Sequence, residues 1–172
     1  MVKLLIILLW IIFDYCFQNR NNIITICRKT FPSLRATVMR DFLDILKSYS
    51  LYSENNHNKS NSEYYLNNNT IEFISLDQPA KIRGRKRNLL FINEANEIDW
   101  ESWQQLIFRT EGKIVIDYNP SESTHWIYDK VLVRDDVIFY KTTYKDNPFI
   151  KMSDKEIQSL DFKRMGIKEK SL

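Results

Sequence analysis

Short apolar runs, separated by stretches of helical spacing, constrain this chain more than any other feature. "IITIC" at 23–27, "LLFI" at 89–92 and "KIVID" at 113–117 are short, mostly apolar runs with no regular polar alternation. Runs of this kind read as strands buried on both sides. Between them lie segments predicted to be helical, near 3–18, 32–48, 99–109 and 122–133, the second opened by Pro32, which suits a first helical turn. "EYYL" and "TIEFISL" read as a hairpin joined at the asparagines of "NNN", since asparagine tolerates left-handed turn positions. A last strand is expected at "VIFYKTTY". Alternating strands and helices define an α/β fold with a mostly parallel sheet flanked by helices.

Composition removes several function classes. A chain of 172 residues, 44% hydrophobic, has the length of one domain with a sizeable core. Two cysteines without a CxxC pair and two isolated histidines, His57 and His125, give neither a disulfide framework nor a zinc site. A net charge of +3 permits contact with nucleic acid without demanding it. Only three glycines, Gly84, Gly112 and Gly166, occur, so these residues contain no glycine-rich phosphate loop. The apolar run from Leu4 to Phe13 has the length of a signal-peptide core, but Asp14 follows directly and no small-residue cleavage site is present. A largely buried helix and a membrane-associated segment are the two readings of it.

In open α/β sheets ligands gather at the carboxyl ends of the strands. Two strand ends here turn polar: Asn93 and Glu94 after "LLFI", and "DYNPS", Asp117 to Ser121, after "KIVI". A glutamate placed there can aim a water at a terminal phosphate, or simply cap the next helix. Asn-Pro is turn chemistry, and Ser121 is placed to cap a helix. Arg28, Lys29 and Arg35, in "RKTFPSLR", and Arg83 and Arg85, in "KIRGRKRN", are candidate phosphate or DNA contacts or solvated cations.

In this order, "RKTFPSLRATVMRDFLDIL", "TIEFISLDQPAKIRGRKRNLLFINEANEIDWESWQQLIFRT" and "KIVIDYNPSESTHWIYDKVL" resemble the ATPase domain of the large terminase subunit of tailed bacteriophages. The resemblance runs from about Ile23 to Pro148. It implies a P-loop NTPase-like fold of the additional-strand type, incomplete here, with a β-hairpin insertion. Residues 1–150 would be the partial ATPase domain and 151–172 a helical tail or linker. By the same resemblance Glu94 is the catalytic carboxylate and Asn93 its neighbour on the Walker B strand, touching magnesium through water. Tyr118, Asn119, Pro120 and Ser121 would form the coupling motif. ATP and Mg²⁺ are the implied cofactors; double-stranded DNA, the portal protein, the small terminase subunit and further copies of the chain are the implied partners. The implied location is the bacterial host cytoplasm.

The departures are as specific. The family's phosphate loop lies upstream of the position matching Ile23, and its nuclease domain lies downstream. Residues 3–18 are similar to the helix that follows that loop. The expectation is a terminase fragment, inactive as an ATPase by itself. The alternatives are a non-catalytic module completing a split terminase, and a small membrane-associated protein using residues 4–13.

Overall fold

The computed structural model describes residues 2–77, 86–119 and 124–142. The chain forms two compact units, Lys3–Pro120 and Ser121–Leu172. The first holds a six-stranded sheet ordered β2-β3-β4-β1-β5-β6. Its strands are β1 (Ile23–Arg28), β2 (His57–Asn58), β3 (Glu63–Leu66), β4 (Asn69–Ser75), β5 (Arg87–Ile92) and β6 (Thr110–Ile116). β4, β1, β5 and β6 run parallel, while β2 and β3 add antiparallel to the β4 side.

Helical segments supply the layers. The first, α1, comprises Val2–Leu9, a π-helical stretch Trp10–Tyr15 and a last turn Cys16–Gln18. The second, α2, comprises Phe31–Leu34 with Pro32 in its first turn, a π-helical stretch Arg35–Met39, and Arg40–Ser48. The third, α3, is Trp100–Ile107. Leu8, Ile11 and Ile12 of α1 and Leu34, Val38 and Phe42 of α2 pack with Ile24, Ile26, Ile71, Phe73, Leu89 and Phe91 in one apolar cluster. Side chains in a strand alternate between faces. The intervening residues Thr25, Cys27, Glu72, Leu90 and Ile92 therefore face the opposite way, and they are buried as well.

That opposite face carries polar groups the apolar runs conceal. Thr25 donates its hydroxyl to the Glu72 carboxylate at 2.5 Å, with both residues buried. Glu63 stands beside Glu72 in the β3–β4 register and accepts from the Tyr65 hydroxyl at 3.0 Å. β4 therefore belongs to the parallel sheet itself, and the expected hairpin insertion reduces to β2 and β3 laid against it.

The hairpin turn falls on Asn67 and Asn68, with φ of 50° and 61°. Two left-handed central residues make the type I′ turn whose twist suits a hairpin. Asn69 then ties the turn to the end of α1. Its Nδ2 donates to the carbonyls of Cys16 (2.9 Å) and Asn19 (2.8 Å), and its Oδ1 accepts from the Asn22 backbone N–H (3.0 Å).

β6 ends the sheet among the described residues, and Glu111 to Ile114 are exposed along it. Gly112 is required there, because a Cβ would lie 2.0 Å from the Asn88 carbonyl oxygen of β5. The β5–β6 register shifts between Arg87 and Leu89, beside that approach.

In the second unit the expected helix at 122–133 is a π-helical stretch over Ile127–Val131 among the described residues. Residues 137–142 of the expected strand "VIFYKTTY" form no strand, and Thr143 and Tyr144 lie outside the described residues. Apolar β-branched content alone makes no strand; a ladder partner must satisfy its backbone groups. Residues 151–172, expected as a tail, also lie outside them. Both cysteines are free and buried, and burial pushes each thiol up to about 12, which fits inert packing residues.

Candidate functional site at the strand ends

Parallel pairing brings the carboxyl ends of β1, β5 and β6 to one edge. The ladder carries past the strands themselves: Asn93 donates its N–H to the Cys27 carbonyl (2.9 Å) and Asp117 donates its own to Ile92 (3.0 Å). Asn93 and Asp117 therefore stand side by side, both buried. The Asn93 Nδ2 donates to both carboxylate oxygens of Asp117, at 3.0 Å each. The Glu94 N–H donates to Asp117 Oδ1 at 2.7 Å, and the Ala95 N–H to the Asp117 carbonyl at 2.8 Å. Burial pushes the Asp117 carboxyl above the usual carboxylate range, opposed by the Glu94 N–H.

Glu94 stops the strand sharply. Its backbone is left-handed, φ 54° and ψ 53°, a conformation that costs a residue with a side chain about 1–2 kcal/mol. Its carboxylate caps no helix. Capping of α3 falls instead to Asp99, which accepts from the Ser102 N–H at 2.7 Å; that bond holds its carboxyl below the usual range. The Glu94 carboxylate accepts from Asn119 Nδ2 at 3.1 and 2.9 Å, across the ends of β5 and β6. Asn119 is itself held from two sides, its N–H donating to Asn96 Oδ1 (3.1 Å) and its Oδ1 accepting from Lys3 Nζ (3.0 Å). Lys3 also donates to the Tyr118 carbonyl at 2.7 Å.

Asn93, Glu94, Tyr118 and Asn119 are thus brought together, while Pro120 and Ser121 lie outside the described residues. The basic candidates separate. Arg28 is occupied internally, donating to Thr37 Oγ1 (2.8 Å) and pairing with Glu97 at 3.5 Å. Lys29 and Arg35 are exposed, and Arg83 and Arg85 lie outside the described residues. Two members had no individual signal in the sequence. Lys3 reads only as the flank of an apolar run, and Asp117 only as the start of a turn motif. A lone cation opening an otherwise apolar helix was the available hint of the first.

Oxygen donors of this kind suit a hard cation such as Mg²⁺. Among the described residues no group of three or more His, Cys, Asp or Glu side chains gathers to hold a metal by itself. A cation here would need phosphate oxygens and water to complete its shell, as magnesium usually does.

A mostly parallel sheet flanked by helices, with acidic and amide groups converging at its carboxyl edge, defines an α/β protein whose candidate site lies at the strand ends. The sequence pattern of the family described as phage terminase large subunit matches residues 6–168, and the chain belongs to that family. The fold is similar to the large terminase of a thermophilic bacteriophage solved with ATP-gamma-S. There the TM-score is 0.70 at 16% identity, covering 94% of this chain and 40% of that one. Another crystal form of the same terminase gives a TM-score of 0.60 at 16% identity, covering 68% of this chain and 31% of that one. The same phage's terminase with ADP gives 0.57 at 18% identity, covering 68% and 30%. The chain spans less than half the length of these terminases. No curated protein matches it.

Proposed function

We propose that this chain carries the hydrolysis side of the ATPase site of a terminase large subunit, whose family role is ATP-driven packaging of viral DNA. The supporting observation is the Glu94–Asn119 hydrogen bond across the ends of β5 and β6. Glu94 is the group that orients the attacking water, and Asn119 senses its state from the coupling segment Tyr118–Ser121. Were magnesium bound, Asn93 would accept through its carbonyl oxygen from a water of the ion's shell, without the charge a carboxylate adds. When bound, magnesium would neutralise charge on the phosphates. Lys29 and Arg35 are the exposed cations available to a phosphate backbone. Double-stranded DNA, portal protein, small terminase subunit and further copies of the chain are the partners of this reading.

These 172 residues include no glycine-rich loop, which supports the expectation that they do not turn over ATP by themselves. The test supplies a phosphate-loop segment in trans. Turnover should then appear and be lost in Glu94→Gln; turnover that survives Glu94→Gln defeats the assignment.

A second reading is favoured by one observation, the exposed strand β6, outermost in the sheet among the described residues. An edge strand offers unpaired backbone groups to an incoming strand. On this reading the chain is a non-catalytic module completing a split terminase, and the same mixture gives a complex without turnover. No helix among the described residues is long and apolar enough to cross a membrane.

A further inference from the structure

The end of β5 poses a problem of polarity. An asparagine side chain has one face that accepts and one that donates, and rotation by half a turn exchanges them. Presented with its oxygen outward, Asn93 is a neutral stand-in for a carboxylate. Presented with its NH₂ outward, it would repel a cation and its water shell.

The structure decides between these. An ionised carboxylate can only accept hydrogen bonds. Both Asp117 oxygens lie 3.0 Å from Asn93 Nδ2, so the donating face of the amide is turned to β6. Oδ1, fixed by the planarity of the amide, is directed away from Asp117. The same carboxylate takes the Glu94 N–H at 2.7 Å, at the residue whose backbone is left-handed. One side chain therefore sets the amide of Asn93 and anchors the backbone that displays Glu94.

We propose that Asp117 is a positioning residue: it fixes the Asn93 amide with its carbonyl oxygen turned out of the sheet toward the nucleotide's cation. This rests on the reading of Asn93 and Glu94 as the nucleotide-facing residues. The charge a strand-end carboxylate would carry on β5 is retained, one strand over, on β6. Asp117 touches no substrate in this role; it acts through Asn93.

The test reads the amide directly, in the full chain and without nucleotide. With asparagine side chains labelled with ¹⁵N, the Asn93 NH₂ should exchange with solvent at least about tenfold more slowly than that of the exposed Asn55, as a charge-assisted hydrogen bond requires. Asp117→Asn keeps size and shape; the Glu94 N–H holds its one oxygen at the Oδ1 position, so its NH₂ is set against Asn93 Nδ2, donor against donor, and Asn93 should turn over to accept from it. Its NH₂ should lose that protection, about tenfold, while circular dichroism stays unchanged. In Asn93→Asp/Asp117→Asn the bond re-forms with its direction reversed, and the protected NH₂ signal should move to the side chain at position 117. A purely packing role predicts an Asn93 signal unaltered by Asp117→Asn. That result overturns the proposal, as does rapid Asn93 exchange in the wild type, which needs no variant to fold. Loss of the nucleotide reading would show separately, as turnover surviving Glu94→Gln with the Asn93 protection intact.

Discussion

The bodies of the parallel strands and their carboxyl ends lie within a few residues of each other and obey different chemistry. In the bodies, Ile24, Ile26, Phe73 and Phe91 are held by volume and apolar contact, almost wholly out of water. At the ends, Asn93, Glu94, Asp117 and Asn119 are held by hydrogen bonds between amides and carboxylates, and Glu94 accepts a strained backbone. Stability resides in the first region. The second is built at some expense to it, which is the usual relation between a scaffold and a site.

Substitutions should divide along this line. Phe73→Ala empties a fully packed position contacting the Phe42 ring, at 5.4 Å between centroids, and should cost about 3–5 kcal/mol in urea unfolding. Gly112→Ala sets a methyl against the Asn88 carbonyl, so β6 must shift or detach. Hydrogen exchange in β6 should then accelerate while β1 and β4 remain protected. Thr25→Val is nearly isosteric but removes a donor from buried Glu72, and a loss of about 1–3 kcal/mol is expected. A Thr25→Val chain as stable as the wild type would show that the polar face of the sheet is held by volume too.

The ends should respond weakly in stability and to pH. Burial raises the Asp117 carboxyl pKa, so the folded chain binds that proton more tightly than the unfolded chain does. Its contribution is full below the unfolded carboxyl range and is lost as pH rises through the folded value. Relative to wild type, Asp117→Asn should therefore gain stability as pH is raised from acid to neutral, read as the difference in urea midpoints. Smallest of all, Glu94→Gly should unfold no earlier than wild type, with any gain within about 1 kcal/mol, because glycine relieves the left-handed strain. A clear loss would place Glu94 among the residues that hold the fold.

β1 and β5 were legible in sequence because burial on both faces leaves an unbroken apolar run; the run that became β6 read the same way, yet that strand is exposed along Glu111 to Ile114. "IITIC" and "LLFI" became β1 and β5 with small extensions, and "NNN" located the hairpin turn. Thr25 and Glu72 were not recognisable as a buried pair, since their partnership joins residues 47 apart. The strand ends were legible as polar punctuation. Their wiring was not: Asp117 meets Asn93 only through the β5–β6 register, and Lys3 reaches Asn119 only once α1 is packed. "VIFYKTTY" misled because propensity names a residue's preference and not its partner.

The asparagine clasp has a kinetic consequence. Asn69 fastens the hairpin turn to carbonyls 53 and 50 residues earlier in the chain, and Asn67 adds a bond to Cys16 at 2.9 Å. Closing a loop of that length is slow to nucleate but costs little more entropy than a loop half as long. The segment from α1 to β4 should therefore fold and open as one cooperative unit, formed before β5 and β6 are added to its edge.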